Sequence, residues 1–504
     1  MESSRMKNSL RNIIFSLGNQ IVTILLGFVN RSVFIWTLGV GYLGISGLFT
    51  DILTMLSMAD LGFGVALTYS MYRPLAEHDY DRLAALTGLY RRVYRIIALV
   101  VTILGLALVP FLKYLINLRH PIPHITLYYL MFLANTVASY LVVYKTSILT
   151  ADQKDYLLKK YQSLFNIGQT VCTTVFLWLT HNYFIYLLIQ VTFTYAQNFY
   201  ASWVAEQQYP FIKKHVAMPL SEVSEVFRNL YSVFLYKISS VMINATDNLI
   251  ISVMIGTGMV GYYSNYSLIT GQLSSLTYTI FYSLTASLGN LVIKEKAGRR
   301  YQIFKAVQSV SDIFSSICTT CLFLLAQDLI RVWLGRQFLL SDFTLTAIVI
   351  NFYLSIVLLP IWVYREATGL YQQIKYVTVA TAIINLALSL CLAKPFGVAG
   401  VLFATVISRL ATYFWYEPIL LFKKYFAISS WSYFASILKN ILVTGILVIV
   451  NGFLFSHFEV SGWVTLFIKA FGIGIISLAL TMLFYARSQG IKMIWQRVKA
   501  LLGK

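Results

Sequence analysis

Apolar runs of about 20 residues recur along the chain, separated by short polar or basic segments. That is the length a helix needs to cross roughly 30 Å of hydrocarbon. Fourteen spans are predicted: 13–37, 43–70, 92–116, 125–149, 161–180, 183–203, 229–254, 260–291, 304–326, 343–363, 374–393, 397–420, 433–455 and 463–486. The first is not uniformly apolar. Ser16, Asn19, Gln20, Thr23, Gly27, Asn30 and Arg31 recur at the spacing of one helical face. The seventh span repeats this polar stripe. At an offset of 217 residues it carries Tyr236, Lys237, Ser240, Asn244, Asp247 and Asn248, with Val233 as the one apolar member.

The same offset aligns Arg11 and Asn12 with Arg228 and Asn229. It also aligns Gly39, Gly41 and Gly44 with Gly256, Gly258 and Gly261. Internal repeats of this kind mark transporters that bind their cargo between two structurally related halves. The expectation is an all-α membrane protein: about 14 transmembrane helices, two repeated six-helix lobes around a central cavity, and two C-terminal helices. The N-terminal lobe is assigned to residues 1–205, a cytoplasmic linker to 206–228, the C-terminal lobe to 229–422 and the last two spans to 423–486. Residues 487–504 read as a basic amphipathic helix at the membrane surface, with Ile491, Ile494, Trp495, Val498, Leu501 and Leu502 at helical spacing.

Composition agrees with the membrane reading. Of 504 residues, 58% are hydrophobic and 12% charged, a balance that would leave a water-soluble fold with much apolar surface exposed. Most of the 39 Lys and Arg residues fall at the termini and in alternate loops, including Arg73, Arg82, Arg91, Arg92, Arg95, Lys154, Lys159, Lys160, Lys294, Lys296, Arg299 and Arg300. The opposite loops hold Lys113, Arg119, Arg331, Arg336 and Lys394. Positive charge is retained on the cytoplasmic side, so the reading is a multi-pass protein of the bacterial cytoplasmic membrane with both termini cytoplasmic. Met1 to Arg11 is basic and leads into the first span without a cleavage pattern. The net charge of +20 is spread over alternate loops, which speaks for topology and anionic lipids rather than nucleic acid.

The four cysteines, Cys172, Cys318, Cys321 and Cys391, all lie in predicted spans. Neither a disulfide framework nor a metal site is indicated. No loop is long enough for a catalytic domain and no phosphate-binding GxxxxGK[ST] is present, so no catalytic residue and no cofactor is expected. Energy is then expected from an ion gradient through a coupling proton or monovalent cation, from the membrane potential, or from the cargo's own gradient.

Charged side chains in hydrocarbon cost at least about 2.5–3.5 kcal/mol on insertion scales. Arg31, Lys237 and Arg409 should therefore face water or a partner. Facing a cavity, with Gln20, Asn30, Asn244 and Asn248 along the same stripes, they would suit a pyrophosphate and its attached sugars. Against that stands plain pairing with carboxylates, such as Arg31 with Asp51. Asp247, Asp51 and Asp60 are the candidate ion-coupling groups, although Asp60, just before Leu61 and Gly62, reads equally well as a helix cap or bend.

The run ADLGFGVALTYSMYRPLA from Ala59, LTGLYRRVYR ending at Arg95, NATDNLIIS at 244–252 and GYYSNYSLI at 261–269 resemble the Wzx-type polysaccharide flippases. These belong to the multidrug/oligosaccharidyl-lipid/polysaccharide exporter superfamily, and the resemblance runs over nearly the whole chain. It implies a MATE-like fold and a monomeric carrier of polyprenyl-pyrophosphate-linked oligosaccharide. It further implies contact with membrane lipids and with a polysaccharide polymerase and other assembly proteins. A lipid II or teichoic-acid precursor flippase shares the anionic cargo. A MATE-type multidrug antiporter would want acidic walls, and a membrane polysaccharide polymerase or ligase would want a large outer loop.

Overall fold

The computed structural model describes residues 18, 22–60, 63–118, 120–152, 154–214, 216, 218, 219, 223, 230–282, 285, 288, 295–486, 488 and 490–493. Every regular element among them is helical, because a backbone in hydrocarbon has no water to bond and must satisfy its own N–H and C=O groups. The helices fall into two compact units, Met1–Gly261 and Tyr262–Lys504.

The first unit contains α1 (Val22–Leu38), α2 (Val40–Leu56), α3 (Phe63–Glu77) and α4 (Tyr80–Leu108). These are followed by α5 (Ile125–Tyr140), α6 (Val143–Ala151), α7 (Asp155–Thr180), α8 (Tyr183–Gln208), α9 (Leu230–Met254) and the start of α10 (Thr257–Tyr282). The second predicted span is thus two helices, α2 and α3, broken at the tight turn Ser57–Asp60. The fourth is a pair, α5 and α6, bent by 47°. Asp79 caps α4 by accepting from the Arg82 N–H at 2.9 Å, a favourable use of an acidic side chain at a helix start.

The glycine repeat has a geometric meaning. Gly39 and Gly256 stand immediately before α2 and α10 with φ of 82° and 139°, values open to glycine because it lacks a Cβ. Gly44, one turn into α2, packs so closely that a Cβ would fall onto the Thr257 carbonyl oxygen, and a Cβ on Gly261 would fall onto that of Val40. Residues 40 and 257 are themselves repeat equivalents, so each helix crosses the other through the same pair of positions. Thr257 also exchanges hydrogen bonds of 2.8 Å with the backbone of Asn117, after α4.

At the end of this unit rich in basic residues, Glu206 is held by Lys145 at 2.6 Å and Lys213 at 3.4 Å. The hydrogen bond from Lys145 is the main reason its carboxyl ionises below the usual range. Arg91 donates to the Ile212 carbonyl at 2.8 Å, tying α4 to the segment after α8.

The second unit continues with α11 (Ala297–Trp333), α12 (Asp342–Val357), α13 (Leu359–Thr368), α14 (Tyr371–Ala411), α15 (Tyr413–Leu421), α16 (Trp431–Leu454) and α17 (Trp463–Tyr485). Straight, the 41 residues of α14 would be about 60 Å long at 1.5 Å per residue, twice the hydrocarbon thickness. Instead the chain reverses at Gly397, φ 59° and ψ −141°. The two arms then lie side by side, with Asn385 Nδ2 donating to Thr405 Oγ1 at 2.8 Å and the Thr381 and Thr412 hydroxyls 2.6 Å apart. The eleventh and twelfth predicted spans are these arms. The core below them is aromatic: Phe304, Tyr364, Phe422, Phe426 and Tyr433 meet at ring separations of 5.1–6.1 Å. Ile491, at the start of the segment predicted to lie on the membrane surface, packs with Ile313, Val443, Leu447 and Tyr485. Residues 494–504 lie outside the described residues.

Trp36, Trp178, Trp203 and Trp463 are 46–73% exposed at helix ends, the positions that amphipathic rings take at a membrane interface.

The close crossing makes a testable demand. Gly44→Ala is expected to lower stability by about 1–3 kcal/mol, as overpacking does, whereas Gly258→Ala, whose Cβ would meet open space, should change little. Thermal unfolding in detergent compares them, and equal midpoints contradict the crossing.

Candidate functional site

Most of the residues singled out from the sequence gather in the first unit. Asn30 and Arg31 lie near the middle of α1, half-buried. Asn30 Nδ2 donates to the Tyr186 hydroxyl on α8 at 3.1 Å. Behind it, Phe34, Tyr42, Tyr128, Tyr183 and Tyr186 pack with centroids 4.8–6.3 Å apart, mostly edge to face, and the Ser46 and Tyr183 hydroxyls are 2.7 Å apart. These tyrosines join α1, α2, α5 and α8. With Tyr128, Tyr183 and Tyr186 buried, they support the polar face from behind.

On α9, Asn244 is exposed and turns its amide onto the Ser240 carbonyl at 2.7 Å. Asp247 is buried. Asn248 reaches across to α2 and donates to Asp51 Oδ2 at 2.7 Å. The pairing of Arg31 with Asp51 weighed from the sequence is therefore not formed. Asp51 takes its hydrogen bond from an amide, and that amide belongs to the repeat equivalent of Arg31. Lys237, half-buried three turns from Asp247, makes no hydrogen bond or ion pair with any described residue. A four-carbon stem with an unengaged ammonium is suited to a point contact with an anion.

Arg409 belongs to the second unit, on the second arm of α14, and is buried. Gln20 lies outside the described residues. Asp60 ends the turn that breaks α2 from α3, in keeping with its reading as a bend, and its side chain is also outside them. Among the described residues no group of three His, Cys, Asp or Glu side chains is placed to hold a metal ion.

Sequence reasoning missed the charged and polar groups that close on one another inside the second unit. Arg365 on α13 and Glu417 on α15 form a buried pair with Nη1 3.1 Å from both carboxylate oxygens. Asp328 on α11 binds Lys469 on α17 at 2.7 Å and Arg331 at 2.6 Å. Asn440 on α16 lies at the centre of a buried hydroxyl cluster with Asp312 on α11. The available signal was an acidic residue inside an apolar run, as Asp312 and Glu417 are, or just beyond its end, as Asp328 is, because such residues persist in hydrocarbon only when partnered or functional.

With this geometry in hand, the chain can be set beside known proteins. The family described as polysaccharide biosynthesis protein matches residues 9–287, which takes in α1 to α10 and all four sequence motifs noted above. No curated protein sequence matches. Solved structures do. The lipid II flippase MurJ in an inward closed conformation aligns with TM-score 0.69 at 15% identity, over 94% of this chain and 99% of its own. An inward-facing multidrug resistance MATE family transporter of the MOP superfamily gives TM-score 0.59 at 11% identity, over 80% and 97%. A mutant of the Vibrio cholerae MATE transporter VcmN gives 0.59 at 15%, over 81% and 95%. At such identities the likeness establishes the fold: an all-helical, multi-pass membrane protein of the MurJ and MATE type.

The Asn248–Asp51 contact can be isolated by a double-mutant cycle. Asn248→Leu leaves the Asp51 carboxylate without its donor and should cost about 1–3 kcal/mol, whereas the same change in an Asp51→Leu background should cost much less. Thermal unfolding of the four proteins gives the coupling, and additive effects would contradict the contact.

Proposed function

The chain belongs to the polysaccharide biosynthesis protein family, and on that premise we propose that it is a flippase of the multidrug/oligosaccharidyl-lipid/polysaccharide exporter superfamily for undecaprenyl-pyrophosphate-linked oligosaccharide repeat units. In this reading it moves them from the inner to the outer leaflet of the bacterial cytoplasmic membrane, for assembly into capsule or exopolysaccharide. It does no covalent chemistry on its cargo and works as a monomer.

The observation that carries the reading is the half-buried Lys237 on α9, unengaged among the described residues, on a helix that repeats the polar face of α1 with its Asn30 and Arg31. A basic group held at this depth favours an anionic partner, and a pyrophosphate supplies one. Amides such as Asn244 suit sugar hydroxyls. Arg409 and Gln20 complete the proposed contacts with the cargo. A cationic drug as cargo would be repelled by these same basic groups.

Transport by alternating access requires the cargo path to open to each side in turn. The crossing at Gly44 and Gly261 is proposed as a contact that separates and re-forms: two small residues allow close packing without interlocking side chains. Coupling to a proton or monovalent cation is assigned to Asp247, the buried carboxylate on the same helix as Lys237, with Asp51 and Asp60 as further candidates.

Arg31→Ala and Lys237→Ala are each expected to slow appearance of labelled lipid-linked oligosaccharide in the outer leaflet of proteoliposomes by about tenfold or more, as loss of one charge-assisted phosphate contact would, at unchanged protein abundance. Normal flipping by both variants removes them from the site. Lipid II as parallel cargo tests the range of substrates, and equal transport of the two lipids would overturn the assignment to repeat units.

Asp247→Asn is expected to remove the dependence of that rate on an imposed pH or sodium gradient. An unchanged dependence excludes Asp247 as the coupling group.

A further inference from the structure

The second unit contains a buried carboxyl that no part of the transport reading uses. Asp312 lies on α11, 2% exposed, where α16 and α17 pack against it. Its Oδ2 accepts a hydrogen bond from Ser436 Oγ at 3.1 Å. Its Oδ1 is buried and accepts none, and the hydroxyl of Tyr433, one turn before Ser436 on α16, is likewise buried without a partner. Among the described residues no ion pair reaches Asp312.

The groups around it are already committed to each other. Asn440 turns its Nδ2 toward the Asp312 backbone carbonyl and Ser316 Oγ, both at 2.8 Å, and toward the Tyr485 hydroxyl at 3.0 Å. Its Oδ1 accepts from Tyr353 at 2.8 Å and Ser315 at 3.2 Å. Thr444 donates to Ser316 at 3.0 Å. The nearby cation, Lys439, is exposed, donates to the Phe484 carbonyl at 3.0 Å and lies 4.7 Å from the centre of the Tyr485 ring.

An ionised carboxylate in this place would keep one neutral hydrogen bond and no counter-charge, and burying a charge on those terms costs several kcal/mol. A metal ion would need four or more oxygen lone pairs aimed at one point. Here the side-chain oxygens of Asn440, Ser316 and Tyr485 are already accepting hydrogen bonds. A proton needs one oxygen atom, and Asp312 Oδ1 supplies it.

We propose that Asp312 is a proton-binding site at the junction of α11, α16 and α17, occupied while these three helices are packed as observed. Releasing the proton would strand a charge in the cluster unless solvent entered. Ser436 and the exposed Lys439 border α16 next to Asp312, so water would enter by parting α16 and α17 from α11. Proton occupancy and docking of the last two helices are thereby one equilibrium. The inference uses nothing about the cargo, and its failure would leave the flippase reading intact.

Infrared spectra of the full chain in nanodiscs at pH 7, in H₂O and D₂O, test it directly. The wild type should show the C=O stretch of an un-ionised, buried carboxyl group that Asp312→Asn lacks. Identical spectra would overturn the proposal, as would loss of the band on adding sodium at constant pH, which would mark a cation site.

Thermal unfolding gives a second measurement. A proton bound by the folded but not the unfolded chain stabilises at low pH and is lost as pH rises. The wild-type midpoint should therefore fall more steeply than that of Asp312→Asn as pH is raised from about 4, the range in which the unfolded chain's carboxyl ionises, to neutral; in the variant an amide takes the place of the protonated acid. Parallel curves would refute the site.

Discussion

Hydrocarbon cannot solvate a polar group, and most of what distinguishes this molecule follows from where each polar group finds a partner instead. The backbone answers by being helical. Many Ser and Thr hydroxyls answer locally, donating to the carbonyl one turn back, as Thr37, Ser46, Thr50 and Thr54 do along α1 and α2. Those contacts cost no tertiary arrangement. Asn, Asp, Lys and Arg reach farther, and their partners decide how helices meet.

Two outcomes coexist. In the second unit the strongly polar side chains close on each other: Arg365 with Glu417, Asp328 with Lys469, Asn451 with Ser477 at 3.2 Å, and Asn440 with its hydroxyl cluster. Three of these tie α16 or α17 to α11 or to each other, so the two last helices are bonded into the unit at several levels. In the first unit the polar face stays partly open, with Asn244 exposed and Lys237 unengaged among the described residues. Closed networks hold helices in place, and open ones are available to a ligand. That difference is why the cargo contacts and the coupling carboxylate Asp247 are assigned mainly to the first unit, and the structural proton of Asp312 to the second.

The repeat illustrates how one sequence motif divides its work. Gly39 and Gly256 perform the same task, turning the chain into a helix, and Gly44 and Gly261 make equivalent halves of one crossing. Asn30 and Asp247, or Arg31 and Asn248, occupy equivalent positions with different chemistry, because Asn248 is spent on Asp51. Equivalent backbone demands preserved the glycines. The polar positions diverged, since any group that water or a partner can satisfy is tolerated there.

The amino-acid sequence by itself determined the helical class, the approximate spans, the charge asymmetry of the loops, the repeat and its polar face. Each of these is a property of residues near one another along the chain, where helical period and apolar length act directly. The break of α2 from α3 at 57–60 and the bend between α5 and α6 were not legible in run length alone. Nor were the pairings of Asn248 with Asp51, Arg365 with Glu417 and Asp312 with Asn440. Those are made between residues tens to hundreds of positions apart, and satisfaction of a buried polar atom depends on which helix packs against it. Periodicity identifies the face on which a side chain lies, but only packing decides whether that face meets a partner, a cavity or lipid.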